Sequence, residues 1–216
     1  KRALMSKKID KVIVCADDAK VMDLMKKYNQ EVYMTSKNIR NGTDRISIFL
    51  KKNIKKFKNL QLVVDIQCDE VFLNPNYLDR VIDFHLKKLD KYDVIVPHTL
   101  TEESNNKNYV KIVSNKYNKI MYMTRADAPF SFRSKLKPFK RHQDFITFKP
   151  DFIIKFNDLK NKMLEKYEGI ELLRVLENEY SMGTIRFKDD SFSINTKKDL
   201  LKSILLIRKD KHRKLY

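Results

Sequence analysis

Two kinds of segment alternate along most of this chain. Short runs of β-branched and other apolar residues, such as residues 11–16 and 60–66, have the near-continuous apolar character of strands covered on both faces. Between them, apolar residues recur at helical spacing, as in residues 19–28 and 76–89. This alternation predicts an α/β fold with a mostly parallel, Rossmann-like sheet.

The same pattern assigns the whole chain to one domain. It predicts strands at residues 11–16, 31–34, 60–66, 93–97, 109–114, 119–124, 144–148 and 183–187, and helices at residues 19–28, 43–50, 76–89, 168–178 and 196–207. The polar cluster at residues 115–118 predicts a hairpin turn. Residues 128–142 show no clear period, and we expect an excursion that packs on a second subunit. No repeat or linker interrupts residues 1–216, which end in a basic tail at 208–216.

Composition excludes several classes of protein. The 216 residues are 42% hydrophobic, which is enough to build a core and excludes a disordered chain. The apolar runs are far shorter than the roughly 20 residues of a membrane span, and the start does not resemble a signal peptide. Cys15 and Cys68 are too few for a disulfide framework or a four-cysteine zinc site. We expect two small buried thiols and a cytoplasmic protein.

The net charge of +18 points to an anionic partner, which means nucleic acid, phosphates or a membrane surface. Two facts weaken the nucleic-acid interpretation: the excess lysines are spread along the whole chain, and the densest basic tract is the terminal tail. A composition rich in lysine and asparagine would give the same charge. A nucleic-acid-binding protein is therefore an alternative from another class, with local support only in residues 130–141.

The exit of the strongest predicted strand, residues 60–66, carries an acidic cluster that contains Asp65, Asp69 and Glu70, with Gln67 among them. In open α/β sheets, ligands bind beyond the carboxyl ends of the strands. Carboxylates at a strand end are suitable ligands for Mg²⁺, which we expect as a cofactor. The alternative is a solvated loop in which an aspartate caps the next helix.

A second candidate is the turn at residues 41–45, Asn-Gly-Thr-Asp-Arg, which leads into a helix. Its backbone N–H groups and Arg45 could meet an anion, although an ordinary helix start with Thr43 as N-cap would look the same. With three glycines the chain has neither a Walker A loop nor a Gly-x-Gly-x-x-Gly turn. His142 is a further candidate between a basic loop and a strand, although a lone histidine is more often structural.

Taken in order, these pieces resemble the CMP-sugar-acid synthetases, and most closely the CMP-Kdo synthetases (Kdo is 3-deoxy-manno-octulosonate). The resemblance rests on Val-Ile-Val-Cys-Ala-Asp-Asp at 12–18, Val-Tyr-Met-Thr-Ser at 32–36, Asn-Gly-Thr-Asp-Arg at 41–45, Asp-Ile-Gln-Cys-Asp-Glu at 65–70, Asn-Tyr-Val-Lys-Ile-Val at 108–113, Met-Tyr-Met-Thr-Arg-Ala at 121–126, Arg-His at 141–142, Glu-Gly-Ile-Glu-Leu-Leu-Arg at 168–174 and Ser-Ile-Asn-Thr-Lys-Lys-Asp at 193–199. The order of the motifs makes the resemblance specific.

The resemblance implies a nucleotidyl transfer for surface-glycan synthesis. The anomeric hydroxyl of a 3-deoxy-2-ulosonic acid, most simply Kdo, attacks the α-phosphate of CTP, and pyrophosphate leaves. Residue roles follow from the matching motifs: Mg²⁺ on Asp69 and Asn195; charge compensation by Lys111 and Arg125; sugar contacts from Gln67, His142 and Glu171; nucleotide contacts from Asn41, Gly42, Thr43 and Arg45. It also implies a homodimer.

Several positions depart from the family pattern. The family's leading βα unit of about 30 residues, with its phosphate-gripping loop, has no match here, so we expect an edge or a gap in the sheet. Asn195 stands in place of a second metal-binding aspartate. Asp144 and Ile146 replace Gly and Tyr, Cys68 replaces Gly, and Leu172 replaces Gln. These changes leave two alternatives: another sugar acid, such as 8-amino-Kdo or a nonulosonic acid, or a non-catalytic relative.

Overall fold

A computed structural model describes residues 1–134, 138–160, 162–188, 192–194 and 196–213. In these ranges the strands are β1 (Val14–Ala16), β2 (Val32–Met34), β3 (Val63–Ile66), β4 (Val94–Thr101), β5 (Lys111–Ser114), β6 (Ile120–Thr124), β7 (Phe139–His142), β8 (Phe145–Phe148) and β9 (Met182–Arg186). The α-helices are α1 (Ala19–Lys27), α2 (Gly42–Asn53), α3 (Pro75–Leu86), α4 (Pro150–Phe156), α5 (Met163–Glu168), α6 (Leu173–Glu177) and α7 (Lys197–Leu206). The expected α/β class is confirmed.

The strands form a large mixed sheet and a separate pair. The large sheet has the order β3-β8-β4-β7-β5-β6, with β9 beside β4, and β1 pairs with β2. The β1–β2 and β4–β9 pairs are parallel. The other pairs are antiparallel. The large sheet is thus mixed rather than mostly parallel, because β8 returns directly between β3 and β4 and the excursion contributes β7 without a helical crossover.

Two apolar clusters cover the faces of the large sheet. On one face, Phe49 and Leu50 of α2 lie in the same buried cluster as Val94 and Phe148. The other cluster contains Leu78 and Val81 of α3, together with residues of β4 and β8. Strands covered on both faces need apolar residues in both directions, which explains the near-continuous apolar runs in the sequence.

Side-chain caps set the starts of the long helices. The Asn41 side chain accepts a hydrogen bond from the Asp44 N–H of α2 at 2.8 Å, so Asn41, and not Thr43, is the N-cap. Asn74 caps α3 by accepting from the Asn76 N–H at 3.1 Å, so no aspartate of the acidic cluster performs that role. Both caps use the short polar side chains that favour helix starts.

Three elements differ from the pattern-based expectation. The helix expected at residues 168–178 is two short helices, because Gly169 adopts φ +64° and ends α5. The excursion contains β7, which pairs with β4 and β5. Residues 135–137 of the excursion lie outside the described residues. Helix α4 had no counterpart in the prediction, since its seven residues are too few to show a clear period.

A largely apolar cavity of about 1100 Å³ separates the pair β1–β2 from the large sheet. Val14 and Cys15 of β1 line one side, and Val63 and Val64 of β3 line the other. No hydrogen-bonded ladder joins β1 to β3 in the described part of the chain. The gap expected in the sheet is therefore present, between two strand edges that face each other.

The two cysteines are not equivalent. Cys15 is half-buried beside the apolar cavity, and burial raises the pKa of its thiol to about 11. Cys68 is exposed, because β3 ends at Ile66 and the chain turns outward, so the expected burial is wrong for this residue. Among the described helices, none has both the length and the apolar character needed to cross a bilayer.

Candidate active site

A polar cavity of about 480 Å³ lies where β3 ends and β8 begins. Since β3 and β8 are antiparallel neighbours with Ile66 opposite Phe145, the residues that follow one strand meet those that precede the other. The cavity brings together predicted site residues from five parts of the chain: Asn41 and Gly42, Gln67 and Asp69, Arg125, His142, and Glu171. Predicted residues that are distant in sequence thus converge on one site.

Asp69 has the features of a metal ligand. Its Oδ1 atom is buried and accepts no hydrogen bond from any described residue. Its backbone carbonyl is fixed by the Ile194 N–H at 3.1 Å. An unpartnered buried carboxylate oxygen is costly unless a cation or an external donor binds it, so Asp69 fits Mg²⁺.

The rest of a metal shell is less complete. The described residues contain no group of three or more histidine, cysteine, aspartate or glutamate side chains arranged to hold a metal. Mg²⁺ commonly binds one or two carboxylates and takes its remaining ligands from water and substrate phosphates. The expected ligand Asn195 lies outside the described residues.

His142 presents a neutral ring. Its Nδ1 lies 3.2 Å from Asp144 Oδ1, and its buried Nε2 has no hydrogen-bond partner among the described residues. Burial lowers the pKa of His142 to about 4. With Nδ1–H donating to Asp144, Nε2 is left as an acceptor for a ligand hydroxyl.

Asp144 adds a carboxylate to this cavity. Its backbone carbonyl accepts the Gln67 N–H at 3.2 Å, which holds it beside the exit of β3. Burial and, next, the negative charge of Asp69 raise the pKa of Asp144 to about 6. The sequence assigned this residue no role beyond a departure from the family pattern.

Thr43 links two carboxylates. Its Oγ1 lies 3.1 Å from Asp65 Oδ2 and 3.2 Å from Glu171 Oε1. Thr43 is fully buried and does not line the polar cavity, so the expected direct contact with nucleotide does not fit its position. Thr43 instead holds Glu171, which does line the cavity. Burial and the nearby charge of Glu171 raise the pKa of Asp65 to about 7.

The high pKa of Asp65 predicts a pH-dependent effect on stability. We expect Asp65→Asn to raise the free energy of unfolding above pH 7 by about 2 to 4 kcal/mol, since each unit of pKa shift corresponds to about 1.4 kcal/mol. The pKa of Asp65 is about 7 in the folded chain and 3.8 without its environment. The cost of ionised Asp65 is therefore complete above pH 7 and disappears as the pH falls toward 4.

Urea unfolding of the unchanged chain and of Asp65→Asn at several pH values measures this difference. The gain should shrink toward zero as the pH falls through the interval between the two pKa values. Asp23→Asn, at an exposed position of α1, is the matched control and should show no such trend. A gain that is independent of pH would contradict the assignment of the raised pKa to Asp65.

Arg125 lines the cavity, and the hydrogen bonds of its guanidinium go to neutral carbonyl groups. Its guanidinium donates to the backbone carbonyls of Glu168 at 3.0 Å, Lys107 at 3.0 Å and Gly169 at 3.2 Å. These carbonyls orient the guanidinium and leave its positive charge in place. Arg125 can therefore attract a substrate carboxylate or phosphate, as the resemblance implies.

Two basic residues that were expected at the site, Lys111 and Arg45, do not line the polar cavity. Lys111 is fully buried, and its Nζ donates to the carbonyls of Asn106 at 2.6 Å and Arg125 at 2.9 Å. It holds the Arg125 segment and does not line the polar cavity, so the expected catalytic role does not fit its position. Arg45 pairs with Asp17 at 2.8 Å and lines the apolar cavity.

The acidic cluster divides among three surroundings. Asp65 faces Thr43, Asp69 faces the polar cavity, and the Glu70 carboxylate accepts a hydrogen bond from the Ser193 hydroxyl. Successive side chains of a strand and of the turn after it point in different directions. The spacing of the acidic residues in the sequence therefore did not show which of them would face the cavity. Of these three carboxylates, only Asp69 lines the polar cavity.

A buried ionic network supports the cavity from behind. The Arg174 guanidinium contacts Asp44 at 2.5 and 2.8 Å and also pairs with Glu165. Arg174 is almost fully buried and joins α6 to α2 and α5. The network therefore positions Asn41 and Glu171, which flank these helices. In the sequence, the one indication of this network was Arg174 itself, a charged residue within an otherwise apolar helical face.

Other cavity residues received no individual role from the sequence. They are Asn108, Tyr109, Val110, Arg141, Ile146, Gly169, Ile170, Leu172 and Ser193. The Arg141 guanidinium lies 3.7 Å from the ring centroid of Tyr109, and both residues line the cavity. Ile146 and Leu172 are buried and give the cavity an apolar patch.

Comparison with known proteins identifies the family. The family model described as Cytidylyltransferase matches residues 1–189. The chain belongs to the cytidylyltransferase family. The resemblance to CMP-sugar-acid synthetases expected from the motifs is thereby confirmed.

Relatives of this cytidylyltransferase cover most of its length. A 3-deoxy-manno-octulosonate cytidylyltransferase of Thermodesulfovibrio yellowstonii is 30% identical over 209 residues, which are 92% of this chain and 82% of the relative. A mitochondrial protein of that name from Arabidopsis thaliana is 28% identical over 211 residues, 96% of this chain and 72% of the relative.

A solved structure supports the fold. The structure of CMP:2-keto-3-deoxy-manno-octonic acid synthetase complexed with CTP superposes with a TM-score of 0.87 and 20% sequence identity. The match covers 96% of this chain and 85% of the other. The mixed sheet with helices on both faces is therefore the fold of a cytidylyltransferase.

Proposed function

We propose that this cytidylyltransferase transfers CMP from CTP to the anomeric hydroxyl of a 3-deoxy-2-ulosonic acid, with Kdo as the first candidate. The observation that carries the proposal is the convergence of Asp69, Gln67, His142 and Glu171 on one polar cavity. In the reaction, the hydroxyl oxygen forms a bond to the α-phosphorus and the α–β anhydride bond breaks. Pyrophosphate leaves, and the hydroxyl proton passes to water.

The side chains act mainly by positioning and by electrostatics. Phosphoryl-type transfer needs alignment and charge compensation more than covalent participation. Mg²⁺ held by Asp69 would neutralise charge on the α-phosphate. His142 Nε2 accepts a hydrogen bond from one sugar hydroxyl. The Glu171 carboxylate, which Thr43 holds in place, accepts a hydrogen bond from another, and Arg125 attracts the sugar carboxylate.

The N-terminus of α2 supports the nucleotide side. Asn41 and Gly42 line the polar cavity at the start of this 12-residue helix. The positive end of a helix favours a phosphate group. We assign CTP to this side, place the reaction in the cytoplasm and assign the CMP-sugar product to surface-glycan synthesis.

The test uses the full chain with CTP, MgCl₂ and three sugar acids in parallel: Kdo, 8-amino-Kdo and N-acetylneuraminate. Pyrophosphate release and mass spectrometry of the CMP-sugar are the two readouts. We expect product with Kdo and none without Mg²⁺. If only one of the other sugar acids gave product, that acid would replace Kdo as the proposed substrate. A folded chain that makes no product with any of them would favour the non-catalytic relative.

We also propose that the chain forms a homodimer through its excursion and α7. Phe130 and Phe132 are 82% and 84% exposed, and Leu201 and Leu205 of α7 are 66% and 63% exposed. Large exposed apolar side chains, here on the excursion and on one face of α7, are typical of interaction surfaces. Sedimentation should give about twice the chain mass of 25.9 kDa.

The paired change of Phe130 and Phe132 to Ser should shift the protein toward monomer. Tyr117→Ser, at a 63% exposed position in the hairpin turn, is the control and should leave the mass unchanged. A monomer in the unchanged chain would contradict the proposal.

A further inference from the structure

We infer that Asp65 holds a proton and, through the Thr43 hydroxyl, positions the Glu171 carboxylate for hydrogen bonding to the sugar acid. The inference rests on the function proposed above, because it assigns Glu171 to the sugar. Asp65 itself does not line the polar cavity, whereas Glu171 does. Asp65 is therefore a positioning residue that acts on the substrate through two other side chains.

The three side chains form a row in which one hydroxyl lies between two carboxylates. Thr43 Oγ1 is 3.1 Å from Asp65 Oδ2 and 3.2 Å from Glu171 Oε1. A threonine hydroxyl carries one proton, so it can donate to one of these oxygens and has to accept from the other. An ionised carboxylate has no proton to donate. One of the two carboxylates must therefore be protonated for both contacts to be hydrogen bonds.

Burial assigns the proton to Asp65. Asp65 is 4% exposed, whereas Glu171 is partly exposed and reaches the polar cavity. A negative charge costs more in the more deeply buried position. Burial and, next, the negative charge of Glu171 raise the pKa of Asp65 to about 7. The Asp65 O–H therefore donates to Thr43 Oγ1, and the Thr43 O–H donates to Glu171 Oε1.

The other titratable groups around Asp65 keep their charge while Asp65 ionises. Cys15 on β1 has a pKa of about 11, and burial also raises the pKa of Cys68 above its ordinary value, so both thiols stay neutral near pH 7. Asp144, whose charge also raises the pKa of Asp65, has a pKa of about 6 and ionises at lower pH. The interval above pH 7 therefore isolates the ionisation of Asp65.

Loss of the Asp65 proton would break the row. Thr43 would then have one proton for two carboxylates, and the like charges of Asp65 and Glu171 would repel each other. The neighbouring carboxylate of Asp44 is paired with Arg174 at 2.5 Å and does not supply a proton. Glu171 would lose the donor that fixes its position, and the affinity for the sugar should fall as the pH rises above 7.

Infrared spectroscopy of the full chain without substrate tests the proton directly. We expect the C=O stretching band of a protonated carboxylic acid at pH 6.5, its disappearance as the pH rises through 7, and its absence in Asp65→Asn. Asp23→Asn is the matched control on exposed α1 and should keep the band. If Asp65→Asn and the unchanged chain had the same acid band, or if the unchanged chain had none, the inference would be overturned.

The pH profile of the reaction tests the positioning role. With saturating CTP and MgCl₂, the KM of the unchanged chain for Kdo should rise by about tenfold between pH 7 and pH 8.5, as Asp65 loses its proton. In Asp65→Asn the KM should stay constant over this interval, because the amide is neutral and its NH₂ group donates to Thr43 at every pH. A purely structural role would not remove the pH dependence. The same rise in KM in both proteins would contradict the inference.

Two substitutions of Thr43 test the link between the carboxylates. Thr43→Val removes the hydroxyl at nearly constant volume, so the KM for Kdo should be about tenfold higher at pH 7 and should no longer depend on Asp65. Thr43→Ser keeps the hydroxyl and should keep the profile of the unchanged chain. A Thr43→Val protein with the original KM and pH profile would show that Asp65 does not act through Thr43.

The outcomes also separate this inference from the proposed function. The infrared measurement needs no substrate, and in Thr43→Val the acid band should shift, because Asp65 loses the hydroxyl that accepts its proton. A chain that shows the band and this shift but makes no CMP-sugar would overturn only the proposed function. A chain that makes CMP-Kdo with no acid band from Asp65 would overturn only the inference.

Discussion

Replacement of Asp69 by Asn lowers kcat/KM for CMP-sugar formation by about 10²- to 10³-fold, the loss expected when one charge-stabilising group is removed. The amide has the same shape but lacks the negative charge that holds a divalent cation. The fold should be retained, because the Asp69 backbone carbonyl still accepts the N–H groups of Val71 and Ile194. Pyrophosphate release measures the rate, and thermal unfolding checks the fold.

The control for this prediction is Asp23→Asn, which removes one exposed carboxylate from α1 and should leave the rate unchanged. Raising the Mg²⁺ concentration should restore part of the rate of Asp69→Asn, because weaker binding is partly overcome by mass action. A variant that reacts at nearly the original rate would remove Asp69 from the reaction.

The second large effect is on stability. We expect Arg174→Met to lower the free energy of unfolding by about 3 to 5 kcal/mol, the usual cost of breaking a buried ion pair. The Arg174 side chain is 2% exposed, and the carboxylates of Asp44 and Glu165 would lose the positive charge that pairs with them. Methionine preserves much of the apolar contact that the guanidinium makes over Phe156 at 4.8 Å. The loss therefore comes mainly from unpaired charge.

Urea unfolding measures the change. Arg186→Met, at an exposed position of β9, is the control and should stay close to the original stability. Arg174→Lys should fall between the two, because lysine cannot bridge two carboxylates with a planar fork. A loss below about 1 kcal/mol for Arg174→Met would mean that the pairs behave as surface salt bridges do.

The order of strands and helices in the first half of the chain could be predicted well. Residues 60–66 and 76–89 carry long, regular patterns. The structure places β3 within the first range, and α3 begins one residue before the second and ends at Leu86. Local chemistry decides such elements, because hydrophobic period and capping residues act over a few positions. The split at Gly169 and the strand β7 were missed, since a left-handed glycine and a paired excursion leave no periodic signal.

For the candidate site, the sequence predicted some of the residues that line the cavity and also named residues that lie behind it. Gln67, Asp69, Arg125, His142 and Glu171 lie at one cavity, as the resemblance implied. Thr43 and Lys111 are buried beside it and support other residues. Sequence motifs identify which segments meet at a site, but they do not separate a side chain that touches substrate from one that holds its neighbour.

By itself, the sequence determined the family, the α/β class and the segments from which the site is assembled, because these follow from motif order and from local hydrophobic pattern. Only the tertiary structure decided that β8 runs antiparallel between β3 and β4, and this single placement brings Asp144 beside Asp69. Direction and register in a sheet depend on contacts between distant residues, which no local pattern encodes.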